Sequence, residues 1–236
     1  MNPMSVMLRL PFLVLLFGCG CSGAEPASTQ PVTFRVTLAN VSAPLETPDG
    51  ELPASFAPGA WAVHDADEPI FTSGVADRAA GLESLAEDGD PSKLAASLRK
   101  RDSVATTDTF DLPDSEYAAG VVRPGASFMF EITAIPGQRL SFAGMYAQSN
   151  DVFLATPPEG MALFDTAGEP RSGDVTADLQ LWDTGSEVNQ EPGIGADQAP
   201  RQAAPNTGQD ERGLVRRLDD GFSYADPFVT ATLEAL

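Results

Sequence analysis

The chain has 236 residues, 42% of them hydrophobic, with 20 prolines, 21 glycines and a formal net charge of −20. That length and apolar content suit one larger all-β domain, and the density of Pro and Gly argues for many turns rather than long helices. So acidic a surface excludes nucleic acid and anionic headgroups as partners and favours cations. One histidine and two cysteines, Cys19 and Cys21, exclude a histidine-rich zinc site and any disulfide or thiolate chemistry downstream of residue 21.

At the N-terminus, Arg9 precedes an apolar run over residues 10–17 and then Gly18-Cys19. A positive residue, a short apolar core and a small residue at the break describe a secretory signal over residues 1–18, too short to span a bilayer as a helix. Leu16-Phe17-Gly18-Cys19 resembles the lipobox of bacterial lipoproteins. The resemblance implies cleavage before Cys19 and lipidation of its thiol, so that the membrane is met only through a lipid anchor. Gly20 after Cys19 fits sorting to an outer membrane, with a periplasmic or secreted protein as the alternative. Residues 19–30 read as a flexible tether, and residues 31–236 as the folded domain.

Val32, Phe34, Val36 and Leu38 alternate with polar residues, predicting a half-buried strand. Four prolines and Asp49-Gly50 make residues 42–59 a loop. Residues 61–64 and 70–71 are short strand candidates. His64 beside Asp65 reads as a structural histidine at a strand end rather than a catalytic pair. Helical spacing of Val75, Ala79, Leu82 and Leu85 predicts one amphipathic helix over 75–86, ended by Glu87-Asp88-Gly89. Asp90-Pro91 then caps a second short helix carrying Leu94 and Leu98.

Residues 102–120 predict loop with one short strand. Phe128, Phe130 and Ile132 alternate, Pro136-Gly137 sets a type II turn, and Leu140, Phe142 and Tyr146 alternate on return. This pattern predicts a hairpin. Residues 174–182 alternate again, residues 197–212 are polar and proline-rich and predict a mobile segment, and residues 228–233 supply a last strand. Seven to nine short strands with two helices inserted between them make an all-β, antiparallel β-sandwich.

Leu181-Trp-Asp-Thr-Gly-Ser-Glu-Val-Asn189 joins a strand end, a tight turn and two acids. Asp183 and Glu187 flank Thr184-Gly185, a turn able to aim both carboxylates at one point. Calcium takes six to eight oxygens, roughly 2.3–2.6 Å away, from such loops. Asn150-Asp151 ends another alternating strand and joins them if both loops lie at one end of the sandwich. The paired carboxylates Asp183 and Glu187 also leave open an extracytoplasmic glycoside hydrolase. A structural envelope lipoprotein without a specific metal site is a further alternative. A serine hydrolase lacks support, with one histidine and no G-x-S-x-G elbow.

Leu85-Ala-Glu-Asp-Gly-Asp90, Pro124-Gly125, Ser141-Phe-Ala-Gly-Met145 with Ser149-Asn-Asp151 and Phe153, and the Trp182–Asn189 block resemble, in that order along the chain, the blocks of spondin-N domains. The resemblance implies a C2-like β-sandwich with calcium held by Asp151, Asp183 and Glu187. Here Thr184, Ser186 and Glu187 depart from the family's Ala, Thr and Asp. It further implies a non-catalytic adhesion or binding module whose partner is a protein or glycan of the envelope or outside the cell.

Overall fold

The computed structural model describes residues 30–65, 67–114 and 119–236. The signal, Cys19 and all of the tether except residue 30 therefore lie outside the described residues. Among those described, no helix is long and apolar enough to cross a membrane.

Fifteen elements follow in chain order: β1 (Val32–Asn40), β2 (Leu45–Thr47), β3 (Gly50–Leu52), β4 (Phe56–His64), α1 (Leu82–Asp88), α2 (Ser92–Leu98), β5 (Val104–Phe110), β6 (Ser127–Ala134), β7 (Arg139–Tyr146), β8 (Val152–Ala155), β9 (Met161–Ala162), β10 (Gly173–Asp174), β11 (Gln180–Asp183), β12 (Arg216–Arg217) and β13 (Val229–Ala235). One antiparallel sheet runs β10-β13-β1-β6. The second runs β12-β11-β8-β7-β4-β5, with β9 added on β7, and β2-β3 form a separate small hairpin. The architecture is the expected all-β sandwich.

Period-2 burial explains the main core. Phe34, Val36 and Leu38 of β1, Phe128 and Ile132 of β6, and Leu140, Phe142 and Tyr146 of β7 lie in one buried cluster between the sheets. The second sheet is covered on its other face as well. Ala60, Ala62, Ala143 and Ala155 pack there beneath Leu82, Leu85, Leu94 and Leu98 of the helices. Small residues on that face let the helices approach closely, so strands β4, β7 and β8 are buried on both sides.

Several expectations change: residues 42–59, expected as loop, hold β2, β3 and the start of β4, and residues 174–182, expected as one strand, are broken by a 3-10 turn at Thr176–Asp178 before β11. The predicted hairpin is a corner between sheets: β6 pairs with β1, whereas β7 pairs with β4, β8 and β9. Its turn is as predicted, with Gly137 at φ 98 and Gln138 N–H donating to the Ile135 carbonyl. A type II turn lacks the twist that keeps hairpin strands paired, and here it sends β7 across the core to face β6. The first helix begins at Leu82, not at Val75, because Ala79 (φ 53) and Gly81 (φ 107) are left-handed. Its predicted end at Gly89 (φ 69) stands, whereas the second helix has Pro91, not Asp90, at its N-cap, and Asp90, one residue before it, accepts the Ser92 N–H on Oδ1. Residues 70–71 are not a strand; Ile70 and Phe71 are plugged against Phe153 and Trp182 under the helices.

His64 is fully buried, bonded to the Asp65 carbonyl and, at 2.9 Å, to Ser141 Oγ. Burial holds its pKa below the usual histidine value. Gly160 is packed so closely over the pair that a Cβ there would lie 2.7 Å from His64 Nε2. This histidine is a core residue, as its place at the end of β4 suggests.

Candidate metal centre

Strand pairing brings the first two acids together. Antiparallel β8 and β11 align Val152 with Asp183, so the turn before β8 and the turn after β11 emerge side by side. The Thr184 N–H reaches the Asp151 carbonyl at 3.3 Å. Asp183 Oδ1 accepts the Gly185 N–H at 2.6 Å, which fixes the turn. Gly185 sits at φ 70, and a Cβ there would lie 2.7 Å from the Leu214 nitrogen. Only glycine permits both the left-handed backbone and the approach of the returning chain.

That return corrects the expectation for residues 197–212. Val188 N–H bonds to the Gln209 carbonyl, Glu211 N–H to the Ser186 carbonyl and Gly213 N–H to the Gly185 carbonyl, at 2.7–2.8 Å. The segment is tied back onto the acidic turn and delivers Glu211 and Arg216 to it.

Asp151 is wholly buried, yet its two oxygens differ. Oδ2 accepts from Thr184 Oγ1 (2.8 Å), Ser186 N (2.9 Å), Ser186 Oγ (3.2 Å) and Glu187 N (3.1 Å). Oδ1 is buried and has no hydrogen-bond partner. One carboxylate oxygen of each of Asp151, Asp183 and Glu211 lies within 4.8 Å of the others. Asn189 donates from Nδ2 to Asp183 Oδ2 at 2.6 Å, and its own Oδ1 is a second buried acceptor with no donor. A buried acceptor without a donor costs about 1–3 kcal/mol, a cost that a bound cation would remove.

Glu187 is buried but turned aside. Its Oε1 accepts the Gly208 N–H at 2.9 Å and its Oε2 the Asn150 amide at 3.3 Å. Its backbone N–H, not its carboxylate, serves Asp151. The acid that converges with Asp151 and Asp183 is Glu211, which sequence reasoning did not single out. It lies 28 positions after Asp183, in a segment with no periodicity, and backbone bonds to Gly185, Ser186 and Val188 bring it back.

Electrostatics follow from burial. Asp183 is pushed up to about 6, first by burial and then by Asp151, against the attraction of Arg216. Burial likewise raises Asp151, against its four donors. Burial also carries Glu87 of α1 to about 8. A hydrogen bond with Ser186 opposes this, and the charges of Glu187, Glu83 and Asp151 add to it. Arg216 supplies the local positive charge, 2.7 Å from Asp183 and 2.9 Å from Glu211. Three carboxylates and one guanidinium leave a net −2, the charge a divalent cation neutralises.

The donors are all oxygens: three carboxylates and a side-chain amide, with no imidazole or thiolate. That chemistry suits a hard cation such as calcium and not zinc. Fold and site together define a β-sandwich with an acidic, oxygen-lined pole at the β7–β8 and β11–β12 turns. No family model matches the chain, and no curated protein matches it.

Proposed function

We propose that this chain is an exported, non-catalytic binding module whose acidic pole holds a calcium ion on Asp151, Asp183 and Glu211. The observation that carries the reading is Asp151, whose buried Oδ1 is bare and one of whose carboxylate oxygens lies within 4.8 Å of oxygens of Asp183 and Glu211. The bound ion supplies positive charge and fixes the loops at the ends of the neighbouring strands β8, β11 and β12. Spondin-N domains, which the sequence blocks resemble, offer the same kind of sandwich with calcium at this pole. That resemblance also suggests adhesion to a protein or glycan of the envelope, with Cys19 as the lipid-bearing anchor. The glycosidase reading gains nothing from the geometry, because Glu187 faces Gly208 and Asn150 rather than pairing with Asp183.

Thermal melting with calcium in millimolar excess and with chelator tests the proposal. An ion present at about 100 times its Kd stabilises the folded state by about 2.7 kcal/mol. For a domain of this size that is a rise of roughly 5–10 °C. Coincident curves in calcium and chelator would refute the metal reading.

A further inference from the structure

The same pole carries a residue whose role is opposite to that of a ligand. We propose that Arg216 is a tethered counter-cation that sets the affinity of the site, holding Asp183 and Glu211 in the ion-free protein and competing with calcium for them. The inference rests on the calcium reading above.

Three observations carry it. First, Arg216 is placed by the backbone: β12 pairs with β11 in the register Asp183↔Arg216. Second, one guanidinium nitrogen, Nη2, serves both acids, at 2.7 Å from Asp183 Oδ2 and 2.9 and 3.0 Å from the two oxygens of Glu211. Asp183 is 1% exposed, so its half of the contact is removed from water, where an ion pair is hard to replace without another cation.

Third, the oxygens of the cluster are unevenly used. Both oxygens of Asp183 are engaged, one by the Gly185 N–H and the other by Asn189 and Arg216. Both oxygens of Glu211 face Arg216. Only Asp151 Oδ1 and Asn189 Oδ1 are bare. A cation entering at the bare oxygens therefore completes its shell only by sharing Asp183 and Glu211 with Arg216 or by displacing it.

The two positive charges then stand a few ångströms apart, a separation at which like charges repel strongly even at a partly screened site. Arg216 stabilises the site without calcium and weakens calcium binding by the same contacts. An arginine at this position makes the pole responsive to high calcium, such as outside a cell, instead of permanently loaded.

Calorimetric titration of the full chain with calcium chloride tests this, on the wild type and on Arg216→Met, Arg216→Gln and Arg216→Lys. The Met and Gln variants are expected to bind calcium at least about tenfold more tightly, a change of about 1.4 kcal/mol, and to melt below wild type in chelator. A variant that unfolds in chelator and refolds when calcium is added supports the same conclusion. Lys keeps the charge and is expected to stay within about threefold of wild type. Wild-type binding with unchanged or weaker binding by the Met and Gln variants would overturn the role of Arg216 alone. A gain by Lys equal to that of Met would overturn it too, since charge would not be the cause. Absence of binding by all four proteins would overturn the calcium reading and this inference together.

Discussion

Asp151 is the residue at which the metal account makes its sharpest demand. Its Oδ2 accepts four hydrogen bonds, while Oδ1 has none. Asp151→Asn keeps an acceptor for the four donors, removes one buried charge and puts a donor where the bare oxygen stands. Two like charges within 4.8 Å of each other repel by at least about 3 kcal/mol at an effective dielectric of about 20. Arg216 offsets part of that, which leaves a relief of about 1–2 kcal/mol.

In chelator, Asp151→Asn should therefore melt roughly 2–8 °C above wild type, and its calcium response should vanish. Asp151→Ala strands the Ser186 and Glu187 N–H groups and the Thr184 hydroxyl, at about 1–3 kcal/mol for each buried group. It should melt well below wild type whether or not calcium is present. Differential scanning calorimetry on the three proteins reads all of this. An Asn variant that still responds to calcium, or that is as unstable as the Ala variant in chelator, would refute the reasoning.

Further outcomes follow from neighbouring groups. Glu87 holds its proton up to about pH 8 when folded and releases it near its ordinary 4.5 when unfolded. Between those values the folded state binds more protons, so this group makes stability fall as pH rises across that window. Urea unfolding in chelator should show a shallower pH slope for Glu87→Gln, with a gain over wild type at pH 8; identical slopes would count against a buried, protonated Glu87. Gly160→Ala forces a left-handed alanine (φ 75) and a Cβ 2.7 Å from His64 Nε2 and 3.0 Å from the Leu140 carbonyl. It should cost about 2–4 kcal/mol in the same assay, and a near-neutral result would show that the loop lifts freely off the His64–Ser141 pair. Glu211→Gln should weaken calcium binding at least about tenfold while Glu187→Gln changes it by less than about threefold; the reverse order would return the third ligand to Glu187.

Much of the sandwich is legible in strict alternation. Phe34-Val36-Leu38 and Leu140-Phe142 mark inward faces whatever the strand pairing, because side-chain direction depends on the local period alone. Pairing is less local. The run from Phe128 to Tyr146 reads as one hairpin, yet both strands turn their apolar sides to each other across the core, and only the second sheet's preference for β4 beside β7 decides the matter. Strand β4 itself is longer than its alternation suggests. Pro58-Gly59 reads as loop, but the register shifts there and the strand continues back to Phe56.

The site divides in the same way. Asp151 and Asp183 stand at the ends of adjacent strands, and turn chemistry around Thr184-Gly185 points to them. Glu187 has the right spacing from Asp183, but Gly208 packs against its carboxylate so closely that even a Cβ there would collide with it. Glu211 and Arg216 come to the site through tertiary backbone contacts at Gly185–Gly213, and nothing in their immediate sequence marks them.

The most direct measurement is a crystal structure of the protein grown with calcium in millimolar excess, with anomalous difference maps at the acidic pole. The account predicts an anomalous peak roughly 2.3–2.6 Å from Asp151 Oδ1 and from oxygens of Asp183 and Glu211, with Arg216 moved off Asp183. Arg216 still bridging Asp183 and Glu211, with no peak beside Asp151, would contradict it.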